Sequence, residues 1–377
     1  MPMNKKLKIG IITLSASDNC GSCLQAYALK KILESYGEVD VINFSSSSSH
    51  MMYDLPQLNL MKRLTLHFSK DALNKRKRLT RCKKSYESFR INYLGIDVDN
   101  EVFADTLPLI ADKYDIYVVG SDQVWNVQMA DFDESFFLGW TKKKKVAYAP
   151  SLGGSDIRMA NNASQYIKWI NSFDYLSVRE EVGLKCLKEI ADKDVKKTLD
   201  PTLLLRKDDW EKLVGERIID GEYIFYYSWA YCYEEELQIV KTESQRLGVP
   251  AVVIDSRKWK YKNATDYGFV LSKEEGPLAF LNLMYYAKYA YVESFHGLVF
   301  AYIFNKNFWL LDTHENLNEL DSRLREFVNL LGAEERIITP YNYNNKNMGL
   351  EMEKRENDLL EDMRLISNTY LDEAMKI

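Results

Sequence analysis

Lys6-Leu7-Lys8-Ile9-Gly10-Ile11-Ile12-Thr13-Leu14-Ser15, with the turn Asp18-Asn19-Cys20-Gly21-Ser22 and the run Leu24 to Tyr36 behind it, is the stretch that decides the fold. The apolar run reads as a first strand. Leu24, Ala28, Leu29, Ile32 and Leu33 recur at helical spacing, Gly37 stops that helix, and Glu38 to Phe44 supplies a second strand. A strand, helix, strand opening predicts a parallel sheet.

Working outward, three later runs repeat one design. Tyr114 to Asp122, Val146 to Gly153 and Tyr175 to Glu180 are apolar strands that each end in small polar turns, and together these ends line one crevice. A second unit starts near Gly221. Tyr223 to Ser228 and Val249 to Asp255 read as strands, with a helix from Glu234 to Leu247 that Gly248 ends. Leu278 to Ala287 is helical and Tyr289 to Val292 a strand. The polar turn Glu293-Ser294-Phe295-His296-Gly297 then precedes an apolar, helix-like stretch from Leu298 to Phe304. The fold class is α/β, with two Rossmann-like domains facing each other across a cleft. Their expected bounds are 1–210, with a basic helical excursion over 50–95, and 215–345. A charged amphipathic helix, roughly Leu350 to Met375, fills 346–377 and packs back on the first domain. Ser45 to Ser49 with His50 is low-complexity and expected to be mobile.

A chain of 377 residues exceeds one ordinary core and suits two domains, and 46% apolar residues supply both. The 25 Tyr and 13% aromatic content suit carbohydrate or flat-ring recognition. A net charge of −5 argues against a nucleic-acid binder. One stretch dissents: Lys62, Arg63, Lys70, Lys75, Arg76, Lys77, Arg78, Arg81, Lys83, Lys84 and Arg90 are opposed by Asp71 and Glu87 alone. This region, 62–90, is either a solvated helix or a peripheral contact with an anionic membrane surface or a phosphorylated acceptor. No run of uncharged apolar residues is long enough to span a bilayer. The apolar run near the start is too short for a signal peptide, so a cytoplasmic protein is expected, peripheral at the inner face of the membrane if 62–90 docks there. Cys20-Gly21-Ser22-Cys23 matches C-x-x-C where a strand meets a helix, as in redox sites, or is a pair of small residues in a tight turn.

The candidate chemistry sits at the strand ends. Backbone N–H groups of the Asn19-Gly21-Ser22 turn can meet an anion at a helix N-terminus. Gly120-Ser121-Asp122-Gln123-Val124-Trp125-Asn126 gathers a carboxylate, two amides, a hydroxyl and an indole. The polar groups can orient sugar hydroxyls while the indole stacks on a sugar face; otherwise Asp122 caps a following helix and Trp125 is core. Arg179 at its strand end needs a partner, either Glu180 and Glu181 or a ligand's carboxylate or phosphate. His296 is one of four histidines and reads as a site residue or as a hydrogen-bonded core histidine. Arg323 begins a helix with Leu324, Phe327, Leu330 and Leu331 at its apolar positions. The histidines are scattered and show no metal-ligand spacing.

Taken in order, Asn19 to Tyr27, Tyr114 to Asn126, Ala147 to Gly153, Ser177 to Glu180, Asp200-Pro201-Thr202, Glu293 to Gly297, Asn305-Lys306 and Asp321-Ser322-Arg323 resemble the polysaccharide pyruvyl transferase family. The resemblance runs from about residue 8 to 335. It implies a GT-B-like glycosyltransferase architecture and transfer of the pyruvyl group of phosphoenolpyruvate to sugar hydroxyls as a ketal, with release of phosphate, in surface polysaccharide biosynthesis. It implies no required cofactor, phosphoenolpyruvate as co-substrate, and a lipid-linked, nucleotide-linked or oligosaccharide acceptor; a divalent ion assisting phosphate is compatible with it. Arg179 matches the family's donor-binding arginine and His296 its catalytic histidine. Ser294 stands where many members carry an arginine, and Arg323 is taken to replace that cation.

On this basis His296 is the general acid and Asp122 orients or deprotonates the acceptor hydroxyl. Arg179, Ser294, Phe295, Gly297 and Arg323 make the donor site. Asn19, Gly21, Ser121, Gln123, Trp125 and Asn126 make the acceptor site. The competing readings are a nucleotide-sugar glycosyltransferase of the same architecture and a non-catalytic carbohydrate-binding protein.

Overall fold

The computed structural model describes residues 6–54, 70–228, 231–254, 264–314, 320–350 and 358–376. β1 (Leu7–Ile12), β2 (Gly37–Val41), β3 (Ile116–Val119), β4 (Lys144–Ala147), β5 (Tyr175–Val178) and β6 (Val195–Lys197) form one sheet. Their order is β2-β1-β3-β4-β5-β6, and every pair is parallel. β7 (Ile224–Tyr227), β8 (Ala251–Val253), β9 (Val270–Leu271), β10 (Tyr289–Val292), β11 (Asn307–Leu311) and β12 (Ile337–Ile338) form the other. It is also parallel, in the order β12-β11-β10-β7-β8-β9. This is the α/β class expected of the opening stretch. In each sheet the strand order reverses direction beside the first strand, the kind of switch point where open parallel sheets place ligands.

The local rules are visible in the first crossover. Ile9, Ile11 and Ile12 are fully buried, as a central parallel strand covered on both faces requires. The helix Cys20–Leu33 starts four residues earlier than its apolar spacing suggests, because Asn19 caps it by accepting from Gly21 N at 2.8 Å and Ser22 N at 3.3 Å. It ends at Leu33, short of Tyr36, and Gly37 opens β2 instead of stopping the helix. A Cβ at Gly37 would lie 2.2 Å from the Leu7 carbonyl oxygen, so close strand pairing explains that glycine.

One apolar cluster runs between the sheets. It joins Leu24 and Leu29 of the first helix to Phe225, Phe280, Leu298 and Phe300 of the second unit. The outer face of each sheet has a core of its own. The helix Asp358–Ala374 lies on the first sheet, where Tyr370 donates to the Ala147 carbonyl at 2.8 Å and Ser367 Oγ accepts from Leu199 N at 2.9 Å. The part of that helix expected over 351–357 falls outside the described residues, as do Asp255, Lys62 and Arg63.

The serine-rich stretch is ordered, against the expectation of mobility. Ser47–Tyr53 is a helix, Ser46 Oγ caps it by accepting from Ser49 N at 3.0 Å, and Ser45, Ser46 and Ser49 are buried. Hydroxyls that look like low complexity in sequence are here spent on a helix start. From Lys70 the basic excursion is one helix to Phe89. Among the described residues no helix is long and apolar enough to cross a membrane.

Candidate active site

Because β3, β4 and β5 are neighbours, the three polar strand ends meet at one sheet edge. They are stitched together by their backbones. Asp122 bridges to Pro150, its carbonyl accepts from Ser151 N at 2.8 Å, and Arg179 N donates to the Pro150 carbonyl at 3.2 Å. Asp122 has φ +73°, a left-handed conformation that Asp tolerates better than most residues and that turns its carboxylate off the strand axis. Ser22 Oγ donates to Asp122 Oδ2 at 2.5 Å, and Gln123 N to Oδ1 at 2.9 Å.

From the other sheet, β10 delivers His296 at the start of the helix Phe295–Ile303, which Ser294 caps by accepting from Gly297 N at 3.1 Å. The imidazole is buried, and its Nε2 lies 3.4 Å from Asp200 Oδ2, an ion-pair distance longer than a good hydrogen bond. That oxygen also accepts from Arg179 Nη1 at 2.7 Å and Ser121 Oγ at 3.1 Å. Oδ1 accepts from Thr202 N at 3.0 Å and Thr202 Oγ1 at 2.7 Å. Burial by itself would push the Asp200 carboxyl up; His296, then Arg179, hold it well below the usual carboxylate range. Asp200 is thus a fixed anion shared by the two residues on which the sequence argument leaned most.

Two adjoining cavities open at this junction. The larger, about 430 Å³, is lined by His296, Asp122, Gln123, Glu293, Tyr227 and Arg323 among others. The smaller, about 270 Å³, is lined by Arg179, Asp200, Leu199, Phe327 and Met363. Phe295 and Arg323 border both. The Arg179 guanidinium stacks on Phe295 at 4.4 Å from the ring centroid, and its Nε and Nη2 are buried without a hydrogen-bond partner. Glu180, which the sequence offered as its partner, stands off at 3.8 Å; its carboxylate accepts from Ser151 Oγ and Leu152 N instead. Glu181 lies near Lys197. Arg323 is held by Asp321, with Nε donating at 3.0 Å to Oδ1, and the Gln123 amide oxygen turned toward it accepts from Nη1 at 2.9 Å.

The sequence profile of the polysaccharide pyruvyl transferases matches residues 19–315, well over half of the chain. The protein belongs to the polysaccharide pyruvyl transferase family. Among curated proteins none matches it by sequence. Among solved structures it is similar to the UDP-N-acetylglucosamine 2-epimerase of Rickettsia bellii, at 9% identity and a TM-score of 0.55 over 97% of this chain and 95% of that one. The Methanocaldococcus jannaschii UDP-GlcNAc 2-epimerase, in complex with UDP-GlcNAc and UDP, has 13% identity and a TM-score of 0.50 over 96% and 99%. At such identities the likeness is one of fold: two Rossmann-like units of the GT-B glycosyltransferase and epimerase type.

Of the candidate site residues, the structure brings some to the cleft and withdraws others. His296, Asp122, Gln123, Asn19, Ser294, Phe295 and Arg323 line the larger cavity. Arg179 does not; it reaches the smaller one. Trp125 is fully buried, stacked on Phe137 at 5.5 Å, with its indole N–H on the Phe136 carbonyl, so it is core and offers no sugar platform. Ser121 is equally buried and serves Asp200 and the Ala149 carbonyl. Asn126 is buried against Gln123, and no helix follows Asp122 for it to cap. Gly21 faces His296, not a ligand: a Cβ there would come 2.2 Å from Nδ1. Gly297 is confined by Ser294 Oγ and Tyr227.

Cys20 and Cys23 lie buried in the first helical turn, Cys20 with its sulfur 3.1 Å from the Tyr86 hydroxyl, and burial pushes the Cys23 thiol up to about 12, far from a reactive thiolate. The residue that sequence reasoning passed over is Asp200. Its signal was present in Asp200-Pro201-Thr202, an acidic cap before a proline, but nothing local shows that it reaches a histidine nearly a hundred residues away. Among the described residues no group of His, Cys, Asp and Glu is disposed to hold a metal ion.

Proposed function

We propose that this protein transfers the pyruvyl group of phosphoenolpyruvate to two hydroxyls of a sugar, forming a cyclic ketal and releasing phosphate. The observation that carries the reading is Arg179: a guanidinium out of water, hydrogen-bonded through Nη1 to Asp200, with Glu180 too far at 3.8 Å to fill Nε and with Nε and Nη2 both unfilled beside a cavity. Leaving such donors empty costs about 1–3 kcal/mol, which a bound carboxylate or phosphate would recover. Arg323, on the wall common to both cavities, is the second cation available to a donor with two anionic groups.

The chemistry then divides between the sheets. His296, kept beside the Asp200 anion, gives a proton to the methylene carbon of the donor, and the central carbon becomes oxocarbenium-like. Asp122 takes the proton of the first acceptor hydroxyl as its oxygen adds there. The second hydroxyl adds as the carbon–phosphate oxygen bond breaks. Of the two hydroxyl protons lost, one is balanced by the new methyl hydrogen and the other leaves with phosphate. Asp200 is a positioning residue in this scheme, since it orients the imidazole and does not touch the substrate.

A nucleotide sugar fits less well. The ends of β7, β10 and β11 carry Ser228, Glu293 and Asp312, with Glu236 close by, and burial pushes the carboxyl of Glu236 well up, with Glu293 adding to it. The acids and hydroxyls at that edge offer a diphosphate no positive charge. The test is to incubate the protein with phosphoenolpyruvate and a panel of sugar acceptors, following phosphate release and the mass of the acceptor. Phosphate release with a matching pyruvyl mass gain supports the reading; sugar transfer from a nucleotide donor with none from phosphoenolpyruvate would replace it.

A further inference from the structure

The helix Lys70–Phe89 carries charge that the cleft does not use. Arg78 is spoken for by Glu275 at 3.1 Å, and Lys83 by Asp54. Lys77, Arg81 and Lys84 are exposed and, at intervals of four and three, share one face of the helix. Among the described residues none of the three is paired with a carboxylate. In a chain of net charge −5 this is a local reversal of sign.

The helix has an apolar neighbour. Through the Lys83 to Asp54 ion pair the helix adjoins Ser47–Tyr53, on which Met51 is 83% and Met52 38% exposed. Phe103, 40% exposed, lies against His50 of the same helix at 5.9 Å between ring centroids. Met52 and Tyr53 are also part of the wall of the 430 Å³ cavity that holds His296. Unpaired cations beside protruding apolar side chains, at the mouth of a substrate cleft, match the two-part composition of a peripheral membrane contact. A soluble polyanion would be served by the cations alone.

We infer that Lys77, Arg81 and Lys84, with Met51, Met52 and Phe103, seat the protein on an anionic lipid bilayer with its cleft mouth beside the lipid surface. The inference does not depend on the donor. It is tested by sedimentation of the full chain with vesicles of phosphatidylglycerol and phosphatidylcholine, and of phosphatidylcholine alone. Binding is expected to the anionic vesicles only, to weaken as salt is raised, and to fall by roughly 10²-fold when Lys77, Arg81 and Lys84 are all changed to Gln, since each cation near such a surface contributes about fivefold. Met51→Ser with Phe103→Ser should weaken it further at fixed salt, while the melting temperature of each variant stays near that of the parent. Absence of binding to anionic vesicles, or binding indifferent to the triple Gln change, would overturn the inference. So would binding sensitive to the cations but indifferent to Met51 and Phe103, which would indicate a soluble polyanion.

Discussion

The two sheets end in the same way and solve the resulting charge problem differently. At the edge of β3, β4 and β5 the buried acid Asp200 is given cations, Arg179 and His296, and its carboxyl is driven down. At the edge of β7, β10 and β11 the acids Glu236 and Glu293 are given hydroxyls and each other, while Asp312 meets the His314 imidazole at 2.6 Å. Tyr226 donates to Glu236 at 3.3 Å and Ser228 donates to Glu293, and both carboxyls are driven up, chiefly by burial. The lesson is that a strand end presents a polar group by topology alone, whereas its ionisation depends on what the neighbouring strands bring. One edge is an ion-pair network, and at the other burial raises the proton affinity of Glu236 and Glu293. His296 starts its helix on the second sheet but takes its partner from the first, which is why the chemistry falls between them.

The largest expected effect comes from removing the group that joins the two edges. His296→Ala should lower turnover by about 10² to 10⁴ while leaving donor binding largely intact, as read from separate kcat and binding measurements. Next is Asp200→Asn, which keeps the shape but leaves Arg179 buried without its counter-charge. Breaking a buried pair in this way costs about 3–5 kcal/mol, measurable by denaturant unfolding. The sign of the pH dependence follows. The folded-state value of Asp200 is depressed, so its contribution is fully present above the ordinary Asp value of about 3.9 and is lost as pH falls below it. The Asn variant should lack that acid-side loss.

Gly21→Ala comes third. Its Cβ would meet His296 Nδ1 at 2.2 Å, so either the ring or the helix must move. A loss of about 1–3 kcal/mol is expected, together with a fall in kcat that a purely structural glycine would not produce. Glu236→Gln sharpens the comparison from the other edge. Its folded-state value is raised, so the native state keeps a proton that the unfolded chain has lost, and stability declines as pH rises from about 4.3 toward that raised value. The Gln variant should flatten the decline, a slope opposite in sign to that of Asp200. The smallest effect is that of Ser294→Ala, about 1 kcal/mol for a lost helix cap.

Much of the frame was legible. The first crossover, the three polar strand ends and the His296 turn follow from periodicity and punctuation, because each is a local pattern. What was not legible was either short or distant. β6, β9 and β12 have two or three residues each. β11 follows the apolar helix Phe295–Ile303 with few polar residues between, so its Phe308-Trp309-Leu310-Leu311 run merges with the helix in a reading by hydrophobicity. In the site, a conspicuous residue proved a poor guide to exposure. Trp125 looked like a binding platform, yet its indole has a backbone carbonyl to satisfy it in the core. Asp200 caps the turn Pro201–Leu203 with one oxygen, while the other faces across the molecule to His296.

The central claim is that the half-filled Arg179 guanidinium beside Asp200 and His296 is built for the anionic donor. The most direct test is a thermal-shift titration with phosphoenolpyruvate, set beside UDP-sugars, on the parent protein and on Arg179→Lys, which keeps a charge near Asp200 and removes the planar fork. Ligand at a hundred times its dissociation constant should stabilise the fold by about 2.7 kcal/mol. The account predicts that phosphoenolpyruvate stabilises the parent and that Arg179→Lys loses the response. Stabilisation by a UDP-sugar with none by phosphoenolpyruvate would contradict it.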